Sequence, residues 1–142
     1  FPNWLPVFGR SFGYFKTAHD NDLAVRSMYQ SVKKGGRVLI DFVNRQHAIQ
    51  QIEAKRNESI HHDGVQFEVR RSYTSERFLK EIDIKDGDQS YHFEESLNSF
   101  SFEQLNNIFL KAGFTLNESF GNYALDAYDE NSSPRMILVY SK

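Results

Sequence analysis

The chain has 142 residues, with 17 Lys and Arg against 19 Asp and Glu, a formal net charge of −2 and no cysteine. This length suits one domain that can bury a core without disulfides, and the charge balance excludes the basic surplus a general nucleic-acid binder needs to displace phosphate counterions. The absence of Cys removes thiolate nucleophiles and Cys-type metal sites, and apolar runs such as 38–40 and 136–140 fall far short of the ~20 residues that span a bilayer. The expectation is a cytoplasmic domain with no metal site, no nucleic-acid partner and no membrane partner.

The chain opens Phe-Pro-Asn-Trp, without Met and already apolar. A natural N-terminus is usually polar and loose, so this start suggests the later part of something longer. Residues 1–10 read poorly as a central strand, because Pro2 and Pro6 would interrupt a ladder. Val25, Met28, Tyr29 and Val32 then fall at i, i+3, i+4 and i+7, one helical stripe. Asp20 is the predicted N-cap, Lys33 and Lys34 suit the negative C-terminus, and Gly35-Gly36 supplies the stop, giving a helix over 20–34.

Residues 37–43 are β-branched and almost continuously apolar, the pattern of a strand buried on both faces. A polar helix over 45–58 follows, with Ala48, Ile49 and Ile52 as a thin apolar face. Over 64–98 the period changes to two, and Asp86-Gly87 marks a hairpin, so a three-stranded antiparallel meander is predicted. Ser101 and Gln104 form a capping box for a helix that Gly113 stops. Residues 114–120 and 136–140 read as strands, joined by a polar loop, 121–134.

No phosphate loop, dinucleotide fingerprint or nucleophile elbow is present. His61 and His62 are adjacent and do not chelate one metal simply; they read as a solvated loop pair, and His92 as the outward face of the meander. Three stretches remain. Ser11-Phe-Gly-Tyr-Phe15 offers a pocket wall with hydroxyl handles, although Phe12 and Phe15 also read as ordinary core. Asn44 and Arg45 stand beyond the carboxyl end of the 37–43 strand, where open α/β sheets bind ligands, although Asn44 also reads as a helix cap. Asp41, inside that strand, would need a partner if buried. The late loop carries Tyr123, Asp126, Tyr128 and Asp129, with Arg135 just after it.

Taken together, Ser11-Phe-Gly-Tyr-Phe15, the helix ending Val32-Lys-Lys-Gly-Gly36 and the strand reaching Asn44 resemble the second half of class I S-adenosylmethionine-dependent methyltransferases. The helix ending Lys-Ala-Gly-Phe114 and the segment Ser133-Pro-Arg-Met-Ile-Leu-Val-Tyr140 continue the resemblance in order, from about residue 10 onward. Lys34 replaces the family's usual proline, and the glycine-rich cofactor loop and ribose-binding acidic residue of the first half are missing. The resemblance implies an α/β fold: the C-terminal part of a Rossmann-like methyltransferase sheet, a single domain over 1–142 incomplete at its N-terminus. The meander at 64–98 stands where members carry a substrate-covering insertion.

The resemblance further implies S-adenosyl-L-methionine as cofactor, bordered here by Ser11, Phe12 and Gly13, and a small-molecule acceptor oriented by Ser11, Tyr14, Asn44, Arg45 and Tyr123. Transfer is an in-line displacement that needs no covalent enzyme intermediate, so no catalytic residue is assigned; His47 could take a proton, on its residue type alone. This chain by itself is expected to bind the cofactor poorly. The competing reading is a non-catalytic interaction module, in which an exposed sheet edge pairs in a homodimer.

Overall fold

A computed structural model describes residues 3–8 and 12–142. The element order is β1 (Trp4–Phe8), α1 (Ala18–Ser31), β2 (Arg37–Val43), α2 (Arg45–Ala54), β3 (Asn57–His62), β4 (Val65–Tyr73), β5 (Arg77–Asp86), β6 (Gln89–Asn98), α3 (Phe102–Ala112), β7 (Thr115–Phe120) and β8 (Arg135–Ser141). The chain divides into two compact units, one of residues 1–48 with 100–142 and one of residues 49–99.

The first unit holds a mixed sheet in the order β1-β2-β8-β7, with β1 and β2 parallel and β8 antiparallel to both its neighbours. Cross-strand register puts Val38, Ile40 and Phe42 opposite Tyr140, Leu138 and Met136, all on one face and all fully buried. α3 closes that face: Phe109 stacks on Tyr140 at 4.5 Å, and Phe12 packs edge-on to Phe109 at 6.2 Å and stacks with Phe100 at 6.0 Å. The opposite face of the same strands carries Asp41 beside Ile137, and it is this face that holds polar chemistry.

β1 corrects the expectation that Pro2 and Pro6 keep residues 1–10 out of the sheet. Pro6 sits in a strand, opposite Leu39, but at the sheet edge. The Arg37 amide donates to the Asn3 carbonyl at 2.7 Å, so residues 3, 5 and 7 face β2 and the missing N–H of Pro6 faces outward, where no ladder bond is lost.

α1 begins and ends earlier than predicted. Thr17, not Asp20, is its N-cap, accepting from the Asp20 amide at 3.1 Å, and the helix ends at Ser31, leaving Lys33 and Lys34 beyond it. Gly36 follows for a steric reason: a Cβ there would lie 2.5 Å from Val32 Cγ1 and 3.0 Å from the Asn3 carbonyl oxygen. α3 carries the expected capping box between Ser101 and Gln104, and Gly113 closes it in the left-handed region.

α2 stops at Ala54 rather than 58, because residues 57–62 form a strand. The second unit is therefore a four-stranded antiparallel sheet, β3-β4-β5-β6, and not three strands over 64–98. Asp63-Gly64 makes the extra hairpin, both residues having positive φ as a two-residue type I′ turn requires. His61 and His62 lie on β3, exposed, rather than in a loop. The predicted β5–β6 hairpin forms, with Asp86 paired to Gln89 across Gly87 and Asp88. Register places Val69, Phe78, Ile82 and Phe93 on one face and Arg70, Glu81, Asp83 and His92 on the other.

Candidate functional site

The carboxyl end of β2 and the loop 121–134 build one polar cluster inside the first unit. Asp41 projects from the last turn of the buried strand and is only 5% exposed. An isolated carboxylate there would be costly, and two donors from the far end of the chain meet it. Arg135 Nε donates to Asp41 Oδ1 at 2.9 Å, and the Tyr123 hydroxyl donates to Oδ2 at 2.7 Å. Tyr123 itself is 73% exposed. Its hydrogen bond to Asp41, with burial second, holds its phenol above the usual range. The result is an exposed tyrosine whose hydroxyl proton is committed to a carboxylate that Arg135 also pairs.

One step further along, Asn44 is 1% exposed and makes a second junction with the loop. Its Nδ2 donates to the carbonyls of Glu130 at 2.8 Å and Ser133 at 2.7 Å, and its Oδ1 accepts from the Tyr128 hydroxyl at 2.9 Å. Its backbone N–H bonds the Pro134 carbonyl at 3.1 Å. Asn44 thus precedes α2 as expected, but its side chain holds the loop rather than capping the helix. Burial, with Glu130 and Asp129 adding, pushes the Tyr128 phenol up to about 12, so it acts as a donor across the whole working pH range. Tyr128 also stacks on Phe102, at 5.3 Å, tying the loop to the start of α3.

The loop's own geometry supports both junctions. The Asn122 side-chain oxygen accepts from the amides of Ala124 and Asp126, and the Ser133 hydroxyl accepts from the Asp129 amide at 2.8 Å. Gly121 passes so close to Ser133 that an added Cβ would lie 2.6 Å from Ser133 Cβ, which only glycine avoids.

Of the residues singled out in the sequence, Asp41, Asn44, Tyr123, Tyr128 and Arg135 come together here. Arg45 is the first residue of α2, half-buried, beside Asn44. Phe12 is 1% exposed and belongs to the aromatic core, Gly13 is buried with φ at 95°, and Tyr14 is 43% exposed. Ser11 lies outside the described residues. His47 lies half-buried on α2. Sequence reasoning singled out Asp41 and Arg135 separately but not their pairing; a buried acid needing a cation, with an Arg starting the neighbouring strand, was the available signal.

Among the described residues, Glu81, His92 and Glu94 converge with ligand-type atoms within 4.8 Å of one another. Their charges already have internal partners: Arg70 bridges Glu81 and Asp83, and His92 bridges Asp83 and Glu94. No helix among the described residues is long and apolar enough to cross a membrane.

No protein-family model matches the chain, and no curated protein matches it. Solved structures do. A S-adenosylmethionine-dependent methyltransferase from Clostridium acetobutylicum superposes with a TM-score of 0.81 at 12% identity, over 98% of this chain and 57% of that one. The CcbJ methyltransferase from Streptomyces caelestis gives 0.76 at 13% identity, over 98% of this chain and 60% of that one. The sugar N-methyltransferase KedS8 from Streptoalloteichus gives 0.64 at 16% identity, over 99% of this chain and 56% of that one. The chain thus has the α/β fold of class I S-adenosylmethionine-dependent methyltransferases and spans a little over half the length of these neighbours.

Proposed function

We propose that a chain with this fold works in S-adenosyl-L-methionine-dependent methyl transfer to a small-molecule acceptor, as part of a cytoplasmic enzyme. The observation that carries the reading is the Tyr123–Asp41–Arg135 cluster at the carboxyl end of β2 in a sheet that superposes on methyltransferases. Fold alone would be analogy; the cluster supplies chemistry at the sheet position where such folds bind ligands.

The described residues fit one end of the cofactor only. Gly13 is buried with φ in the left-handed region, next to the buried Phe12, in the stretch where the resemblance puts a border of the cofactor. The glycine-rich turn and ribose-binding acid are not in this sequence, so most of the cofactor's contacts would come from elsewhere, and this chain alone would bind it weakly. S-adenosylmethionine, when bound, would supply an electrophilic methyl group: the acceptor's lone pair would form the new bond to carbon, and the C–S bonding pair would stay on sulfur, leaving a neutral thioether. The protein's task is alignment. Tyr123, held by its hydrogen bond to Asp41, accepts a hydrogen bond from the acceptor and fixes its orientation, while Arg135 holds Asp41 in place from the other side. Tyr14 and Arg45 complete the acceptor's surroundings in this reading, and Asn44 serves them by holding the loop in place.

One neighbour is named a sugar N-methyltransferase and another an amino pentose methyltransferase. An amine acceptor suits a carboxylate with a phenol beside it, because an ammonium must lose a proton before its nitrogen can attack. The test is transfer of labelled methyl from S-adenosylmethionine to a panel of amino sugars by the intact protein. Transfer that falls ten- to hundredfold in Tyr123→Phe supports the reading; wild-type protein transferring no label to any of them, or unchanged transfer in Tyr123→Phe, contradicts it.

A further inference from the structure

Among the described residues, two besides glycine have positive φ: Asp63 at 50° and Leu125 at 64°. Asp63 is a residue type that tolerates the left-handed region, and its two-residue hairpin turn demands it. Leucine is not such a type. Its Cβ crowds the following carbonyl oxygen there, and residues strained in this way persist only where their surroundings over-determine the backbone.

The turn around Leu125 is fixed from several sides. The Leu125 amide donates to the Asn122 carbonyl at 3.1 Å, and the Gly121 amide donates to the Asp126 carbonyl at 2.8 Å. Asn122 Oδ1 accepts from the Ala124 amide at 3.0 Å and the Asp126 amide at 3.2 Å, while its Nδ2 donates to Asp126 Oδ2 at 2.8 Å. The residue that follows a turn closed in this way is commonly left-handed, and glycine or asparagine suits the position. Leucine stands there instead, and it gains little packing in exchange, because it is 58% exposed. Two residues back in the same turn, which spans less than about 7 Å, Tyr123 is more exposed still and is hydrogen-bonded to Asp41. A bulky apolar side chain is thus held at a strained, solvent-facing position beside the phenol of the candidate site.

We propose that Leu125 is an acceptor-contact residue, whose side chain covers an apolar face of the molecule that hydrogen-bonds the Tyr123 hydroxyl. The proposal rests on the methyl-transfer reading and goes beyond it, by giving the acceptor an apolar surface next to its nucleophilic nitrogen. The strain then has a function: it presents a leucine where the fold by itself favours glycine. Tyr123 fixes the polar end of the acceptor, and Leu125 removes the adjoining carbon from water. Contact of this kind binds the ground state and the transition state alike, so it is expressed in the acceptor's KM and not in kcat.

Two substitutions in the intact protein separate side chain from backbone. Leu125→Gly removes both the side chain and the strain, whereas Leu125→Ala removes most of the side chain and leaves a Cβ in the left-handed region. In urea unfolding, Leu125→Gly is expected to raise the folded-to-unfolded ratio about two- to fivefold, and Leu125→Ala to stay within about twofold of wild type. With labelled S-adenosylmethionine and the amino sugar that the wild type methylates fastest, both variants are expected to raise the acceptor's KM about tenfold, with kcat within about threefold of wild type. Unchanged acceptor KM in either variant would overturn the proposal, as would a Leu125→Gly protein less stable than wild type, which would make the leucine a packing residue; both outcomes leave the methyl-transfer reading standing. Wild-type protein that methylates no amino sugar overturns both.

Discussion

Asp41 concentrates the residue-scale argument. It is an acid in the middle of an apolar strand, stable there because Arg135 and Tyr123 reach it from more than eighty residues away in sequence. Asp41→Asn removes the charge from this pair while keeping shape, and an expected loss of about 1–3 kcal/mol is read by thermal or urea unfolding. Tyr123→Phe should cost little stability, because the ring is largely exposed, yet should impair methyl transfer. A stability loss in Tyr123→Phe equal to that in Asp41→Asn would make the phenol a structural strut instead. Tyr128→Phe leaves the buried Asn44 oxygen without its donor, for about 1–3 kcal/mol by the same unfolding assay. Part of this site was legible: an Asn at a strand end, an acid inside a strand and a tyrosine-bearing loop were all visible as types and positions. Their joining was not, because contacts spanning such sequence distances leave no local periodicity.

At the scale of elements, local signals read well wherever one chemistry dominates. The capping box of α3, the Gly-Gly turn before β2 and the hydrophobic run of β2 all form as their sequences dictate. β3 is hard to read because Asn57–His62 alternates weakly and stays largely exposed, although Asp63-Gly64 is as plain a hairpin signal as Asp86-Gly87. β1 is hard to read because proline argues against a central strand, whereas Pro6 sits on the edge of the described sheet. On the polar face of the meander, the hydrogen bond His92 donates to Asp83, then the one it donates to Glu94, raises its imidazole above the ordinary value of about 6.5. Asp83 is lowered in turn, by His92 first and then Arg70. His92 therefore stabilises the folded state fully below about 6.5, and this contribution disappears as pH rises through its raised folded value. Asp83 contributes above its unfolded value and loses that contribution as pH falls through its lowered one. Proton NMR titration is expected to place the His92 midpoint above the ordinary histidine value of about 6.5, with Asp83→Asn drawing it back down. A wild-type midpoint at or below that value would contradict the geometry.

At the scale of the whole molecule, the chain divides into two compact units. The first carries the mixed sheet, its aromatic core and the Asp41 cluster; the second carries the antiparallel sheet with its open β6 edge. The chain spans 57% of one methyltransferase neighbour and 60% of another, so the intact protein is the proper object for any activity test. The most direct test of the account is isothermal titration of S-adenosylhomocysteine into that intact protein, wild type and Tyr123→Phe. The account predicts saturable one-to-one binding in both, since Tyr123 serves the acceptor and not the cofactor. Absence of heat from the folded wild-type protein would contradict it, leaving the sheet as a scaffold for association rather than for methyl transfer.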